Sequence, residues 1–496
     1  SESKNAQALW GDVVFASRPS NQSALSTESG DLDVVRERFA VNGTLTGAFP
    51  AWKKNGVVGI AHNLGTVKGE SSVTYAVGYA REQAINYLGT AYTGYYRQEY
   101  PSTLGAVVYF LDDYEDAKTE STRMDSEILI KSMEVGGQKY ADIVALSLRQ
   151  AYGGIDLVIP EDSLDVNGLL AFIKEISSDG NVNTVDVIFA NLPLYFAMDP
   201  EYIRLLLAPV IQYLATGAWK KPWVIHDIGS HYPNATGHDN QIAEEMPVEE
   251  TGNLLQLAYA YACASNSLNW TAGFMPLLQH YAEYLVENSL NIPLQLSTND
   301  ATGTLANETN LAIKGAVGLK AFGQLSGLAN YSLIGSQHAH ILYEDGLGTD
   351  SDKTHFTLYY PNAESTYKIM FNLYPDLLLN LSTFPQSAYE MESKYYPTVR
   401  KTGGVALDNR QFWTNTEWSM WAAGTSSAST SEMFVNDTWA AITNTKNSWP
   451  LSDRMIVSPS HGHTVGSEFF VRARPTVGGH YSLLALLGPK SLKWTS

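Results

Sequence analysis

At about residue 113 the hydrophobic period of this chain changes, and that change fixes which architectures are open to it. Upstream, short runs rich in β-branched and aromatic residues (Asp12–Ala16, Gly56–Ala61, Ser72–Tyr79, Gly105–Leu111) are broken by Gly, Asn, Pro and Ser, as in strands joined by turns. VTYAVGYA alternates at period two, and only Arg81–Leu88 reads as a helix among these runs, so antiparallel pairing fits better than parallel units. Residues 1–112 are therefore expected to be the C-terminal part of a β-sandwich plus a linker.

Downstream, apolar residues recur at helical spacing. Phe274, Leu277, Leu278, Tyr281 and Leu285 fall on one helix face. The same period predicts helices over Glu115–Val135, Lys139–Ala151, Gly168–Ile176, Pro200–Thr216, Glu249–Ser265, Phe274–Leu290 and Asn307–Leu328. It continues over Tyr367–Leu381, Pro385–Tyr395, Gln411–Ala423 and Ser431–Thr443. Ser467–Val477 reads as a strand, followed by a buried closing element at His480–Leu487. About a dozen helices in series, joined by long irregular loops, suit a ring of helical hairpins better than a short-loop bundle. The expectation is a mainly α chain, an (α/α)6 toroid over residues 113–496, preceded by the end of a β-sandwich. In such a ring the loops at one rim build a cleft.

One stretch concentrates chemistry: Trp223–Asn253, WVIHDIGSHYPNATGHDNQIAEEMPVEETGN. A short apolar run ends in His226 and Asp227, a loop carries His231, His238 and Asp239, and Glu244, Glu245, Glu249 and Glu250 lead into a helix. A loop fed by a strand and closed by a helix start is where a scaffold places functional groups. Asp227 with Glu249 or Glu250 is the candidate acid/base pair, since two carboxyls can share a cleft when their surroundings separate their pKa values. The glutamates also suit a helix N-terminus by charge alone. The imidazoles and carboxylates include acceptable zinc ligands, but their spacing matches no metal motif, so no metal or cofactor is assigned. Asp345, Asp350 and Asp352 read as a solvated turn, and no G-x-S-x-G elbow occurs. Further on, Asp408, Arg410 and Trp418 in ALDNRQFWTNTEWSMW, and Arg474 in VRARPTVGGHY, are candidates for substrate binding. Arginine there suits bidentate capture of a carboxylate.

With 51 acidic against 32 basic residues the chain carries a formal charge of -19, which argues against nucleic acid as a partner. No apolar run approaches the roughly 20 residues of a membrane span. Cys263 is the single cysteine, expected as a buried thiol on a helix. N-x-S/T sequons at Asn21, Asn42, Asn234, Asn269, Asn307, Asn330, Asn380 and Asn436 point to a glycosylated, secreted protein.

Taken together, HDIGSHYPNATGH, EEMPVEETGN, FLDDYEDA, YADIVALSLRQAYGG, ALDNRQFWTNTEWSMWAA and RARPTVGGHYSLLAL resemble the secreted fungal glutaminase A family. They occur in family order from about Val73 to Leu487. The resemblance implies hydrolysis of L-glutamine to glutamate and ammonia by a β-sandwich domain followed by a six-hairpin barrel of glycosidase type. It also implies a longer precursor, with its N-terminal fragment expected as a bound partner after processing. On this reading Asp227 and Glu250 form the carboxylate pair, His238 shuttles protons, Arg410 or Arg474 binds the α-carboxylate, and Asp408 holds the α-ammonium. A glycoside hydrolase built on the same barrel, with a cleft lined by Trp and Tyr, is the first alternative. A non-catalytic glycan-binding protein is the second.

Overall fold

Gly137 divides the longest helix of the molecule, Tyr114–Tyr152, at a φ of 73° and ψ of -174°. Only glycine adopts that backbone freely, and the break falls between the two helices expected there. Beyond it Tyr140, Ile143, Val144, Ser147 and Ala151 are buried, whereas the first half is mostly exposed. This is a computed structural model. It describes the whole chain except residues 1–2, 5–6, 9, 20–22, 51–54, 177–178, 298–299, 445–446, 470 and 493–496.

The second half of that helix begins a ring. Outer helices follow at Glu201–Ala215, Met275–Asn288, Ala329–Tyr343, Gln386–Val399 and Ala428–Thr443. Between them run inner helical segments: Val185–Ala190 with Leu192–Ala197, Pro247–Ser265, Thr309–Ser326, Phe371–Leu373 with Tyr374–Leu378, Thr416–Thr425, and Pro475–Tyr481 with Ser482–Ala485. Each inner segment contacts the next and the last contacts the first, so the mainly helical chain closes as a six-hairpin toroid. Inner helices are buried on all sides, and some approach to backbone contact. A Cβ on Gly318 would lie 3.3 Å from the Gly252 Cα, so small residues on both helices let Thr309–Ser326 and Pro247–Ser265 meet.

Among the described residues the β-rich part holds three antiparallel pairs, Ser3–Lys4 with Gln7–Ala8, Asp12–Ser17 with Tyr75–Ala80 and Ala24–Asp31 with Gly56–Asn63. A five-stranded sheet runs Leu170–Ile173, Ile155–Pro160, Thr90–Gly94, Ile85–Tyr87, Asn234–Ala235. It crosses residue 112, joining strands before that position to strands after it. Asn234–Ala235 pairs parallel with Ile85–Tyr87, which pins the tip of the His226–His238 loop to the β-rich part.

Several sequence expectations are corrected. Gly105–Leu111 is not a strand but most of the helix Thr103–Asp112, which Ser102 caps by accepting from the Gly105 N–H at 3.2 Å. Arg81–Leu88 holds the strand Ile85–Tyr87, and Gly168–Ile176 holds the strand Leu170–Ile173; in both, pairing with a neighbouring strand overrides local propensity. Tyr367–Leu381 is helical only from Phe371 to Leu378. Ser467–Val477 forms no strand among the described residues and ends in the 3-10 helix Pro475–Tyr481. Helices over Val185–Ala197 and Ala329–Tyr343 were not expected. Cys263 lies on a helix but is exposed. Among the described residues no helix is long and apolar enough to cross a membrane. Asn42, Asn269, Asn330 and Asn380 are exposed. Asn234, Asn307 and Asn436 are half-buried, and Asn21 lies outside the described residues.

Candidate functional site

The inner helices start at one rim, and their first residues are charged. Asp186 stands in the first turn of Val185–Ala190, Glu249 and Glu250 in that of Pro247–Ser265, and Glu417 in that of Thr416–Thr425. Arg474 precedes Pro475–Tyr481. Helix N-termini favour negative charge, which explains why a rim built of them tolerates so many acids. Asp186, Glu417 and Arg474 help line a small cavity of about 50 Å³. Its polar lining includes Glu175, Asp179, Asp186, His226, Glu244, Glu417, Asp453, Arg454 and Arg474, and among the described residues Trp418 is its one Phe, Tyr or Trp.

The wall supplied by the Trp223–Asn253 stretch is organised by Asp227. The run Val224–Ile228 is not a strand, yet Val185 N–H donates to His226 O at 2.8 Å and Ile228 N–H to Val182 O at 3.0 Å. These bonds fix the backbone beside the first inner helix. Asp227 turns its oxygens away from the cavity: Oδ2 lies 3.0 Å from His226 Nδ1, and Oδ1 lies 2.7 Å from His238 Nε2 and accepts from Gly229 N–H at 2.9 Å. Burial disfavours its charge, but the hydrogen bonds from both imidazoles outweigh burial and hold the carboxyl well below its usual range. Burial likewise opposes a charged His226. Asp227, with Asp186 and Glu250, overcomes it and holds the imidazole well above its ordinary value.

A ring nitrogen of His226, one oxygen of Asp186 and one of Glu250 lie within 4.8 Å of one another. Glu250 is 0% exposed, with Oε2 accepting from Asn253 Nδ2 at 3.0 Å and Oε1 without a partner among the described residues. Asp186 Oδ1 lacks one too. Burial pushes Asp186 up to about 7, opposed by His226 and reinforced by Glu175 and Glu249. Burial, then Asp186, raises Glu250 well above the carboxylate range. Glu249 instead pairs with Lys314, Nζ to Oε1 at 2.8 Å, in the fully buried ring interior. The same ammonium donates to Asn253 Oδ1 and lies 3.8 Å from the Phe189 ring centroid.

On the opposite wall Arg474 joins Asp453 (Nε to Oδ2, 3.0 Å) and Glu175 (Nη1 to Oε1, 2.9 Å). Glu417 accepts from Asn415 Nδ2 at 2.7 Å through Oε1, while Oε2 has no partner. Burial and then Asp453 raise its carboxyl well above the usual range. Trp418 stacks on Phe371 with ring centroids 4.3 Å apart.

The structure thus gathers His226, Trp418 and Arg474 about one cavity, with Glu250 buried beside His226 and Asp186, Asp227 and His238 behind His226, and Glu249 facing Lys314. Asp408 and Arg410 do not line it. They pair with each other (Nη2 to Oδ2, 2.7 Å), and the field of Glu308, itself 2.8 Å from Lys368, reaches Arg410. His231 is exposed, and Asp239 accepts from Tyr213 Oη at 3.0 Å. Sequence reasoning missed Glu175, Asp179 and Asp186. The signal for Asp186 lay in NTVDVIFANLP, where Asp is the one charge in an apolar run.

Residues 137–484 match the family described as the glutaminase A six helical-hairpin domain. Residues 1–131 match a domain of unknown function, DUF5127. Glutaminase A of Aspergillus oryzae is 35% identical over 499 residues, covering 97% of this chain and 70% of that protein. A probable glutaminase of Arthroderma benhamiae is 26% identical, covering 97% of this chain and 66% of its own length. Among solved structures, a Bacillus rhamnosidase aligns over 61% of this chain and 31% of its own, at 11% identity and a TM-score of 0.42.

Proposed function

This chain belongs to the glutaminase A six-helical-hairpin family, and from that premise we propose that it hydrolyses the side-chain amide of L-glutamine to glutamate and ammonia. The observation that carries the reading is the composition of the cavity wall. Acids and two arginines dominate it, with one aromatic ring, which suits a small zwitterion better than a stacked sugar. The Arg454 and Arg474 guanidiniums supply positive charge for the α-carboxylate, and the surplus carboxyls suit the α-ammonium.

Amide hydrolysis needs a positioned water and a proton for the departing ammonia. Glu417 carries the features of the acid: it lines the cavity, one oxygen has no partner among the described residues, and burial raises its carboxyl well above the usual range. Asp186 and Glu250 each keep an oxygen without a partner among the described residues, and one oxygen of each lies within 4.8 Å of the other beside His226, where they are placed to hold the water. Asp227 acts through His226 and His238 as a positioning residue. In this assignment Glu250 keeps a direct role, and Arg474 rather than Arg410 serves the substrate.

Secretion and N-glycosylation belong to the same proposal, supported by the exposed sequons at Asn42, Asn269, Asn330 and Asn380. The test is release of ammonia and glutamate from L-glutamine, run beside a panel of chromogenic glycosides. Glutamate with silent glycosides is expected; sugar release with silence on glutamine overturns the reading in favour of a glycosidase.

A further inference from the structure

We propose that Asp186, His226 and Glu250 form a binding site for a divalent cation of the zinc–manganese class. The inference goes beyond amide hydrolysis and does not rest on it. Three observations carry it.

The first is geometry. One oxygen of Asp186, one ring nitrogen of His226 and one oxygen of Glu250 lie within 4.8 Å of one another. Ligands that share one small cation stand roughly 3–4 Å apart, so modest side-chain rotation closes the set.

The second is unmet bonding capacity. Glu250 is 0% exposed, and its Oε1 has no hydrogen-bond donor; Asp186 Oδ1 has none either. Leaving such buried acceptors unsatisfied is costly, and a cation aimed at by both removes the cost. The imidazole is oriented to match. With the Nδ1 hydrogen donated to Asp227 Oδ2 at 3.0 Å, Nε2 is the ring nitrogen left for a cation, which displaces any proton there on binding; this is the carboxylate–histidine arrangement that supports metal ligands. Glu244 Oε2, 3.6 Å from His226 Nε2, can add a ligand from the cavity side.

The third is charge. Asp186, Asp227, Glu249 and Glu250 gather here, and the facing cations are Lys314 and Arg474. Lys314 is bound by Glu249 and Asn253, and Arg474 by Asp453 and Glu175. Buried carboxyls in excess of their cationic partners are costly to ionise without a counter-charge, which a cation supplies as it displaces their protons, and one imidazole with two or three carboxylates suits zinc or manganese better than calcium. No spacing motif could show this site, because Asp186 comes from a different inner helix than Glu250 and from outside the His226 loop.

The experiment uses the full chain stripped with EDTA and dialysed. Zn²⁺ and Mn²⁺, with Ca²⁺ for comparison, are titrated by calorimetry, and metal content per chain is measured after re-dialysis. One equivalent bound with micromolar or tighter affinity is expected for Zn²⁺ or Mn²⁺, weakened at least about tenfold in Glu250→Gln. Should Glu250→Gln fail to fold, Co²⁺ substitution replaces it, and a visible spectrum of a nitrogen- and oxygen-ligated ion is the expected result. Binding no tighter than millimolar, affinity unchanged in a folded Glu250→Gln, or a Co²⁺ spectrum of the free aquo ion overturns the site. Glutamine hydrolysis is followed on the same samples, so failure of metal binding and failure of the glutaminase reading register separately.

Discussion

His226 and Asp227 are neighbours in sequence, yet the Nδ1 of one lies 3.0 Å from the Oδ2 of the other. The bond turns Asp227 away from the cavity and His226 into it. Asp227 thereby fixes the ring's orientation and leaves Nε2 for the site, and His238 holds the second oxygen at 2.7 Å. Replacing Asp227 by Asn keeps the shape but presents an amide to the two imidazoles. Glutamine turnover should fall about 10–100-fold, with kcat affected more than KM. Asp227→Asn with kcat and its pH profile unchanged would remove the positioning role.

Lys314 and Glu249 form an ion pair 2.8 Å long with essentially no exposure of either side chain. Removing one member leaves a buried charge uncompensated, at a cost of about 3–5 kcal/mol. Lys314→Met should lower the thermal midpoint by several degrees, and Lys314→Met with Glu249→Leu should recover much of the loss. Calorimetry decides; a single variant as stable as the parent shows that the strut is not one.

The ring was legible in the sequence wherever helices carry one apolar face, as Met275–Asn288 does. It was illegible where a helix is buried all round. Val185–Ala190 and Leu192–Ala197 are almost wholly buried, so their apolar residues show no period, and Asp186 went with them. The helix expected over Asn307–Leu328 does stop at Gly327, at a φ of 74°, but the helix Ala329–Tyr343 that starts directly after it was not expected. In the candidate site, the Trp223–Asn253 stretch supplies His226, Glu244 and Met246 to the cavity lining. The role of Asp227 did not follow from residue type, because it depends on which way the side chain turns. The pairing of Arg474 with Glu175 joins residues 299 positions apart, a distance that no local pattern encodes.

Stability should peak between acid and alkali through two buried groups. Burial lowers His338 to about 4 from 6.5, with Ser289 Oγ 3.0 Å from its Nδ1. Between those values the unfolded chain binds a proton that the folded chain does not, so stability falls as pH drops from 6.5 toward 4. Burial raises Glu392 to about 8 from 4.5, while its Oε1 accepts from Phe356 N–H at 2.6 Å. Here the folded chain holds the extra proton, so stability falls as pH rises from 4.5 through 8, by up to about 1.4 kcal/mol per pH unit. Glu392→Gln keeps the acceptor and removes the titration. Its denaturation midpoint should decline less than the parent's between pH 6 and 9; parallel profiles would show that Glu392 contributes nothing there.

Glu417 offers the most direct test of the proposed chemistry. Its Oε1 is held by Asn415 at 2.7 Å and its Oε2 has no partner, while burial and Asp453 keep the carboxyl protonated well above the usual range. If that proton reaches the departing ammonia, kcat/KM for glutamine falls on the alkaline side as Glu417 ionises. Glu417→Gln preserves the bond from Asn415 but has no acid to give. Turnover should drop about 10²–10⁴-fold, and the alkaline limb of the profile should disappear from the residual activity. A merely structural Glu417 would lower activity through stability and leave the limb where it was. The shape of the pH profile therefore separates a proton donor from a buried strut, whatever the size of the loss.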